Sequence, residues 1–137
     1  IKIELIKNSD QILFNSDKEQ LSRVFLNLIK NSIESIQQKA ENTNDFNKKI
    51  TIEIEGSDDH ISIIILDNGI GFDIFKKNIK DILNPYFTTK KNGTGLGLSI
   101  VNKIINDHNG KINFIPINNG AKVKIIFFLN DSRNFNS

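Results

Sequence analysis

The sequence predicts an α+β fold, a two-layer α/β sandwich whose sheet is largely antiparallel or mixed. Three observations carry that expectation. Strand-like runs come in pairs joined by short turns. Two longer segments show the 3.6-residue apolar spacing of helices. The elements follow in the order strand, strand, helix, strand, strand, lid-like segment, helix, strand, strand. Parallel strands need long crossovers, so short turns between paired strands argue against a doubly wound dinucleotide fold.

Ile1, Ile3 and Leu5 alternate with polar residues and read as a half-buried strand, and Asn8-Ser9-Asp10 then turns the chain. Gln11 to Phe14 reads as the returning arm of a hairpin. Ser16 or Asp17 caps a helix running to about Lys39, with Leu21, Val24, Phe25, Leu28, Ser32 and Ile36 on one face. Glu41 to Lys49 is polar and reads as a loop. Ile50, Ile52 and Ile54 alternate with Thr51, Glu53 and Glu55 in a strand with one wet face. Ser57-Asp58-Asp59 turns it, and Ile61 to Leu66 returns as a more fully buried strand. Asp73 to Leu83 is a weak helical pattern ending before Asn84-Pro85. Leu96 to Asp107 is a helix, stopped near Asn109-Gly110 by a glycine signal. Lys111 to Ile117 and Ala121 to Leu129 are strands joined at Asn118-Asn119-Gly120. One domain over residues 1–130 and a frayed polar tail over 131–137 complete the expected organisation.

The chain has 137 residues, enough for one domain with a real core. A net charge of +2 and the lack of an arginine-rich stripe argue against nucleic acid as a partner. There are no cysteines, which excludes disulfides and thiolate metal sites. No apolar run reaches membrane-spanning length. With no methionine, even at position 1, the sequence reads as a piece of a longer protein.

The chemistry-bearing residues fall in three stretches. In the first helix, Asn27, Lys30, Asn31 and Glu34 share one stripe beside the apolar face. Two amides one turn apart can offer oxygen to a hard cation such as Mg²⁺, which keeps waters and phosphate oxygens as its other ligands. An asparagine-rich composition is the plainer account of the same residues. Asp67 ends a buried strand and must be solvated, paired or given donors. It opens into Asn68-Gly69-Ile70-Gly71, which serves equally as a simple turn or as a place where backbone closely approaches a ligand. Gly93-Thr94-Gly95-Leu96-Gly97 precedes a helix, whose free N–H groups favour an anion, with Lys90 and Lys91 just upstream. No GK[ST] follows, so this is not a P-loop. His60 and His108 lack metal-ligand spacing and read as surface residues.

Taken in order, NLIKNSIES, DNGIGF, PYFTTK and GTGLGLSIV resemble the N, G1, F and G2 boxes of the catalytic and ATP-binding domain of sensor histidine kinases. The wording most resembles nitrogen-regulation-type kinases. The resemblance covers nearly the whole chain and implies the Bergerat fold shared with gyrase-type, Hsp90-type and MutL-type ATPases: about five strands, three helices on one face and an ATP lid from about Asp73 to Asn92. It implies that Asn31 is the Mg²⁺ ligand and that Asn27 and Asn31 are the catalytic pair, with Lys30 near the phosphates. Asp67 matches the adenine-binding carboxylate. The remaining implied ATP-binding residues are Gly69, Ile70, Gly71, Phe72, Thr88, Thr89, Lys90, Gly93, Thr94, Gly95, Leu96 and Gly97.

Such a domain passes the γ-phosphoryl of Mg-ATP to a His on a separate dimerisation domain, which then serves a response regulator. His60 is followed by Ile61 and His108 by Asn109, so neither has the acidic neighbour typical of that acceptor. The acceptor is therefore expected outside this chain. The isolated domain is expected to be a cytoplasmic monomer within a homodimeric full-length protein, with a membrane anchor elsewhere left open. An ATPase of the same fold and a non-catalytic nucleotide-binding module are the alternatives.

Overall fold

The computed structural model describes residues 1–8, 16–71 and 97–129. Five strands form one sheet: β1 (Lys2–Lys7), β2 (Lys49–Gly56), β3 (His60–Asp67), β4 (Gly110–Ile117) and β5 (Gly120–Phe128), in the order β1-β2-β3-β5-β4. Two helices are described, α1 (Lys18–Ala40) and α2 (Gly97–Asp107). The expected mixed, mostly antiparallel sheet is present: β1 pairs with β2 in parallel, and the other three pairings are antiparallel. A parallel neighbour requires a crossover, and α1 lies in the connection between β1 and β2. The expected hairpin arm at Gln11 to Phe14, the weak helix from Asp73 to Leu83 and the tail beyond 130 lie outside the described residues.

The register explains the core. Ile50, Ile52 and Ile54 of β2 sit opposite Asp67, Ile65 and Ile63 of β3. These β3 residues in turn oppose Ala121, Val123 and Ile125 of β5. One face of three adjacent strands is thus almost wholly apolar, and Asp67 is the charged member of that face. Against it pack Val24, Leu28 and Ile36 of α1 and Val101, Ile104 and Ile105 of α2, all buried. Truncating one of these, Leu28→Ala for example, would cost about 2–5 kcal/mol.

Local signals set the helix ends. Asp17 caps α1, its Oδ1 accepting from Gln20 N at 3.2 Å. At the end of α2 the left-handed residue is Asn109 (φ 58°) and not the glycine that follows it. Gly110 already belongs to β4, and a Cβ there would lie 2.8 Å from Ile126 O and 2.9 Å from Phe127 Cδ1. Asn tolerates the left-handed region, which leaves the glycine for the place where only a hydrogen fits.

His108 ties the two helices together. Its Nδ1–H donates to Ile104 O at 2.8 Å, and its Nε2 accepts from Asp17 N at 3.0 Å. Both ring nitrogens therefore serve structure, more than the surface role read from sequence. No helix among the described residues is long and apolar enough to cross a membrane.

Candidate functional site

The central strand β3 delivers Asp67 to the end of the sheet beneath α1. Its side chain is 9% exposed. Oδ1 accepts from Gly69 N at 2.9 Å. Burial pushes the carboxyl above its usual range. The Gly69 N–H, the Ser32 hydroxyl and the charge of Lys39 pull in the other direction. A buried carboxylate with only part of its acceptor capacity used is equipped to receive a donor from a ligand.

The turn after Asp67 is fixed from three sides. Ile70 N donates to Ser35 Oγ at 2.9 Å. Lys39 Nζ donates to Asn68 O at 3.0 Å while lying 4.7 Å from the centre of the Phe46 ring. The Asn68 side chain accepts from Lys49 N at 3.0 Å and donates to Asn47 O. A Cβ at Gly69 would collide with Ser35 Oγ and come within 2.8 Å of Ile36 N, so backbone lies directly on α1 at this position. Gly71 has φ +79°, and a Cβ there would sit 2.7 Å from Gly120 O. A Cβ on Gly120 would in turn collide with Asp67 O. Close backbone approach, the reason for proposing glycine from sequence, is thus realised within the fold itself.

Helix α1 carries the second group of expected residues. Asn27 is half-buried, and its Nδ2 donates to Arg23 O at 2.9 Å. Lys30 is exposed and Asn31 half-buried. Asn31 directly precedes Ser32, so the edge of α1 that bears the asparagines adjoins the edge that grips the Asp67 turn. The structure therefore brings Asn27, Lys30 and Asn31 onto one helix beside Asp67, Gly69, Ile70 and Gly71. Gly97 opens α2. Phe72, Thr88, Thr89, Lys90, Gly93, Thr94, Gly95 and Leu96 lie outside the described residues.

Ser32, Ser35, Lys39, Asn68 and Gly120 are the contributors that sequence reading missed. Ser32 left one signal, a hydroxyl in an otherwise apolar helical stripe. Gly120 read only as a hairpin glycine, because its contact with Asp67 joins residues far apart in the chain.

A second polar cluster is not a nucleophilic site. Ser57 Oγ lies 3.1 Å and Asp59 Oδ1 2.7 Å from the same ring nitrogen, Nδ1 of His60. A relay needs the acid and the nucleophile on opposite ring nitrogens. The Ser57 hydroxyl also has Asp59 Oδ1 at 3.0 Å and His60 O at 3.1 Å as acceptors for its one proton, closing the β2–β3 turn.

The chain matches the family model described as histidine kinase-, DNA gyrase B- and HSP90-like ATPase over residues 16–132. It is 35% identical to the signal transduction histidine-protein kinase AtoS of Escherichia coli, over 97% of this chain and 21% of that protein. It is 38% identical to an NtrY-like sensor histidine kinase of Rickettsia felis, over 75% of this chain and 16% of that protein. The chain thus spans about a fifth or less of the length of these curated relatives. Among solved structures, the nucleotide-free catalytic domain of histidine kinase ThkA superposes with a TM-score of 0.76 at 29% identity, covering 93% of this chain and 79% of that one. ThkA in complex with the response regulator TrrA superposes with a TM-score of 0.72 at 26% identity, covering 96% of this chain and 35% of that one.

Proposed function

This chain belongs to the histidine kinase-, DNA gyrase B- and HSP90-like ATPase family, and from that premise we propose that it is the ATP-binding catalytic domain of a two-component sensor histidine kinase. It would deliver the γ-phosphoryl group of Mg-ATP to a histidine on a separate helical dimerisation domain, and a response regulator would receive the group next. The observation that carries the nucleotide reading is Asp67, a buried, partly satisfied carboxylate at the end of the central strand. An adenine amino group is a donor of the right sign for it. Guanine would oppose its 6-carbonyl to that carboxylate, setting two acceptors face to face.

Asn31 is the residue that would hold Mg²⁺. An amide oxygen on a half-buried helix edge fits a hard cation that takes its other ligands from phosphate and water. The ion's part is to neutralise phosphate charge. The protein's own part is positioning: Asp67 fixes the base, and α1 aligns Asn27, Lys30 and Asn31 along the phosphates. From the sequence, we assign Thr88, Thr89, Lys90 and the glycines of Gly93 to Gly97 to the same nucleotide site. The domain would work on the cytoplasmic side, where ATP is supplied, as a monomer in isolation and within a homodimer in the full-length kinase.

Asn27 favours transfer to histidine over hydrolysis. In the ATPase branch the water-activating carboxylate occupies the position one helical turn before the metal-binding asparagine. Here that position holds an amide, which cannot take a proton at neutral pH and whose nitrogen is already engaged by Arg23 O. Incubation with γ-labelled ATP tests the reading. The expected result is label on the cognate helical domain and phosphate release barely above background from this domain alone. Rapid steady-state release by the isolated domain would favour the ATPase. Tight Mg-ATP binding with no transfer to the histidine domain would favour a non-catalytic nucleotide-binding module.

A further inference from the structure

Lys39 stands in the last turn of α1, where a cation suits the helix end. Its ammonium reaches across to the turn after Asp67. Nζ donates to Asn68 O at 3.0 Å and lies 4.7 Å from the centre of the Phe46 ring. The Lys39 carbonyl meanwhile accepts from Asn42 N at 3.1 Å and Thr43 N at 3.0 Å. One residue thus ties α1 both to the turn and to the loop that carries Phe46.

The carbonyl that accepts from Lys39 belongs to the peptide unit between Asn68 and Gly69. The N–H of the same unit donates to Asp67 Oδ1 at 2.9 Å. A peptide is planar and trans, so its C=O and N–H point in opposite directions and turn together. Fixing the oxygen on Lys39 therefore fixes the hydrogen on the carboxylate. If the unit rotated by half a turn, Asn68 O would face the carboxylate and the Gly69 N–H would face the ammonium. Both contacts would then be repulsive.

Glycine makes that rotation cheap. Position 69 has to be glycine, since a Cβ there would collide with Ser35 Oγ and lie 2.8 Å from Ile36 N. Rotating the unit before it carries φ of Gly69 from negative to positive, as between type I and type II turns. Gly69 is not left-handed here, unlike Gly71, but a glycine visits either sign with little penalty. Packing onto α1 thus demands the residue that restrains this peptide least. The Asn68 side chain is anchored by Lys49 N and Asn47 O, and its carbonyl is anchored by Lys39.

We propose that Lys39 is a specificity-determining positioning residue: by holding Asn68 O it keeps the Gly69 N–H on Asp67 Oδ1, which aims the other carboxylate oxygen at a purine 6-amino group. The proposal rests on reading Asp67 as the adenine-binding carboxylate. The charge of Lys39 works in the same sense. Burial raises the Asp67 carboxyl, and the Lys39 ammonium is among the influences that lower it, towards the ionised form that only accepts.

The test compares the 137-residue chain with its Lys39→Met variant, which keeps an apolar stem and removes the ammonium. Each is titrated calorimetrically with Mg-ATP and with the Mg complex of purine riboside triphosphate, which lacks the 6-amino group. The Gly69 amide resonance is followed in the nucleotide-free domain. The parent should prefer ATP by at least about tenfold, the scale of one hydrogen bond to a charged group. Lys39→Met should lose most of that ratio through weaker ATP binding, with the analogue's affinity within about twofold of the parent's. Its Gly69 amide should exchange faster with solvent and move upfield as the bond to the carboxylate loosens. Lys39→Arg, which can still donate to Asn68 O, should restore both. Gln38→Lys added to Lys39→Met returns a charge to the helix end at an exposed neighbour without that bond, and should restore neither. Lys39→Leu replaces the methionine variant if that one does not fold. An unchanged ratio, an unchanged Gly69 amide or rescue by Gln38→Lys overturns the role of Lys39 alone. A parent that binds both nucleotides equally overturns the adenine reading of Asp67, and the role of Lys39 in specificity with it.

Discussion

Replacing Asp67 with asparagine separates what the carboxylate does for the nucleotide from what it costs the fold. The amide is nearly the same size, and its oxygen can still accept from Gly69 N, now at 2.9 Å from Oδ1. On the proposed reading, the second carboxylate oxygen becomes an NH₂ group and meets the adenine amino donor with another donor. The loss combines one hydrogen bond to a charged group with one opposed, unsatisfied pair, together about 3–4 kcal/mol or two to three orders of magnitude in Kd for ATP. Inosine triphosphate, with a 6-carbonyl, should move the other way and bind Asp67→Asn at least as well as ATP does.

Stability should change in the opposite sense to ATP affinity. A folded-state pKa raised above the unfolded value means that Asp67 adds stability below the unfolded carboxylate range, and that this is lost as pH rises through the raised value. At neutral pH the buried charge is a net cost, so Asp67→Asn should melt at a higher temperature than the parent there. That gap should close as the pH falls below the carboxylate range. Calorimetric titration with the two nucleotides and melting curves across pH read both effects. An Asp67→Asn variant that keeps ATP affinity within about threefold would refute the assignment of Asp67 to the base.

Three further changes test other parts of the site. Asn31→Ala should abolish the Mg²⁺-dependent share of nucleotide affinity while leaving the melting temperature close to the parent's, read by titration with and without the ion. Gly120→Ala forces a methyl into Asp67 O, so it should cost about 1–3 kcal/mol by denaturant unfolding and weaken ATP binding as well. His108→Ala removes the acceptor of Asp17 N and the donor to Ile104 O, and should lower stability by about 1–3 kcal/mol without altering ATP specificity.

The parts legible in the sequence are those governed by local rules. Alternation of isoleucines marked β2, a near-continuous apolar run marked the more fully buried β3, and a 3.6-residue stripe marked α1 because one side of it meets the sheet. Asp67 stood out because a carboxylate ending a buried run needs partners, a requirement visible without knowing them. The partners themselves were not legible. Ser35 meets Ile70 across 35 positions and Lys39 meets Asn68 across 29, and no local pattern encodes such separations.

The same distinction orders the glycines. Gly69 and Gly71 read from the sequence either as a simple turn or as a place where backbone approaches a ligand, and their missing side chains admit α1 and the turn of the β4–β5 hairpin, where Asn119 is left-handed and Gly120 presses on Asp67. The turn that would read the base is therefore wedged between a helix and a hairpin. Its geometry is set by packing, and on the proposed reading a carboxylate held this way would discriminate between purines with little reorganisation. Preorganisation of this kind is what lets a single buried hydrogen bond count towards specificity instead of being spent on ordering the loop that carries it.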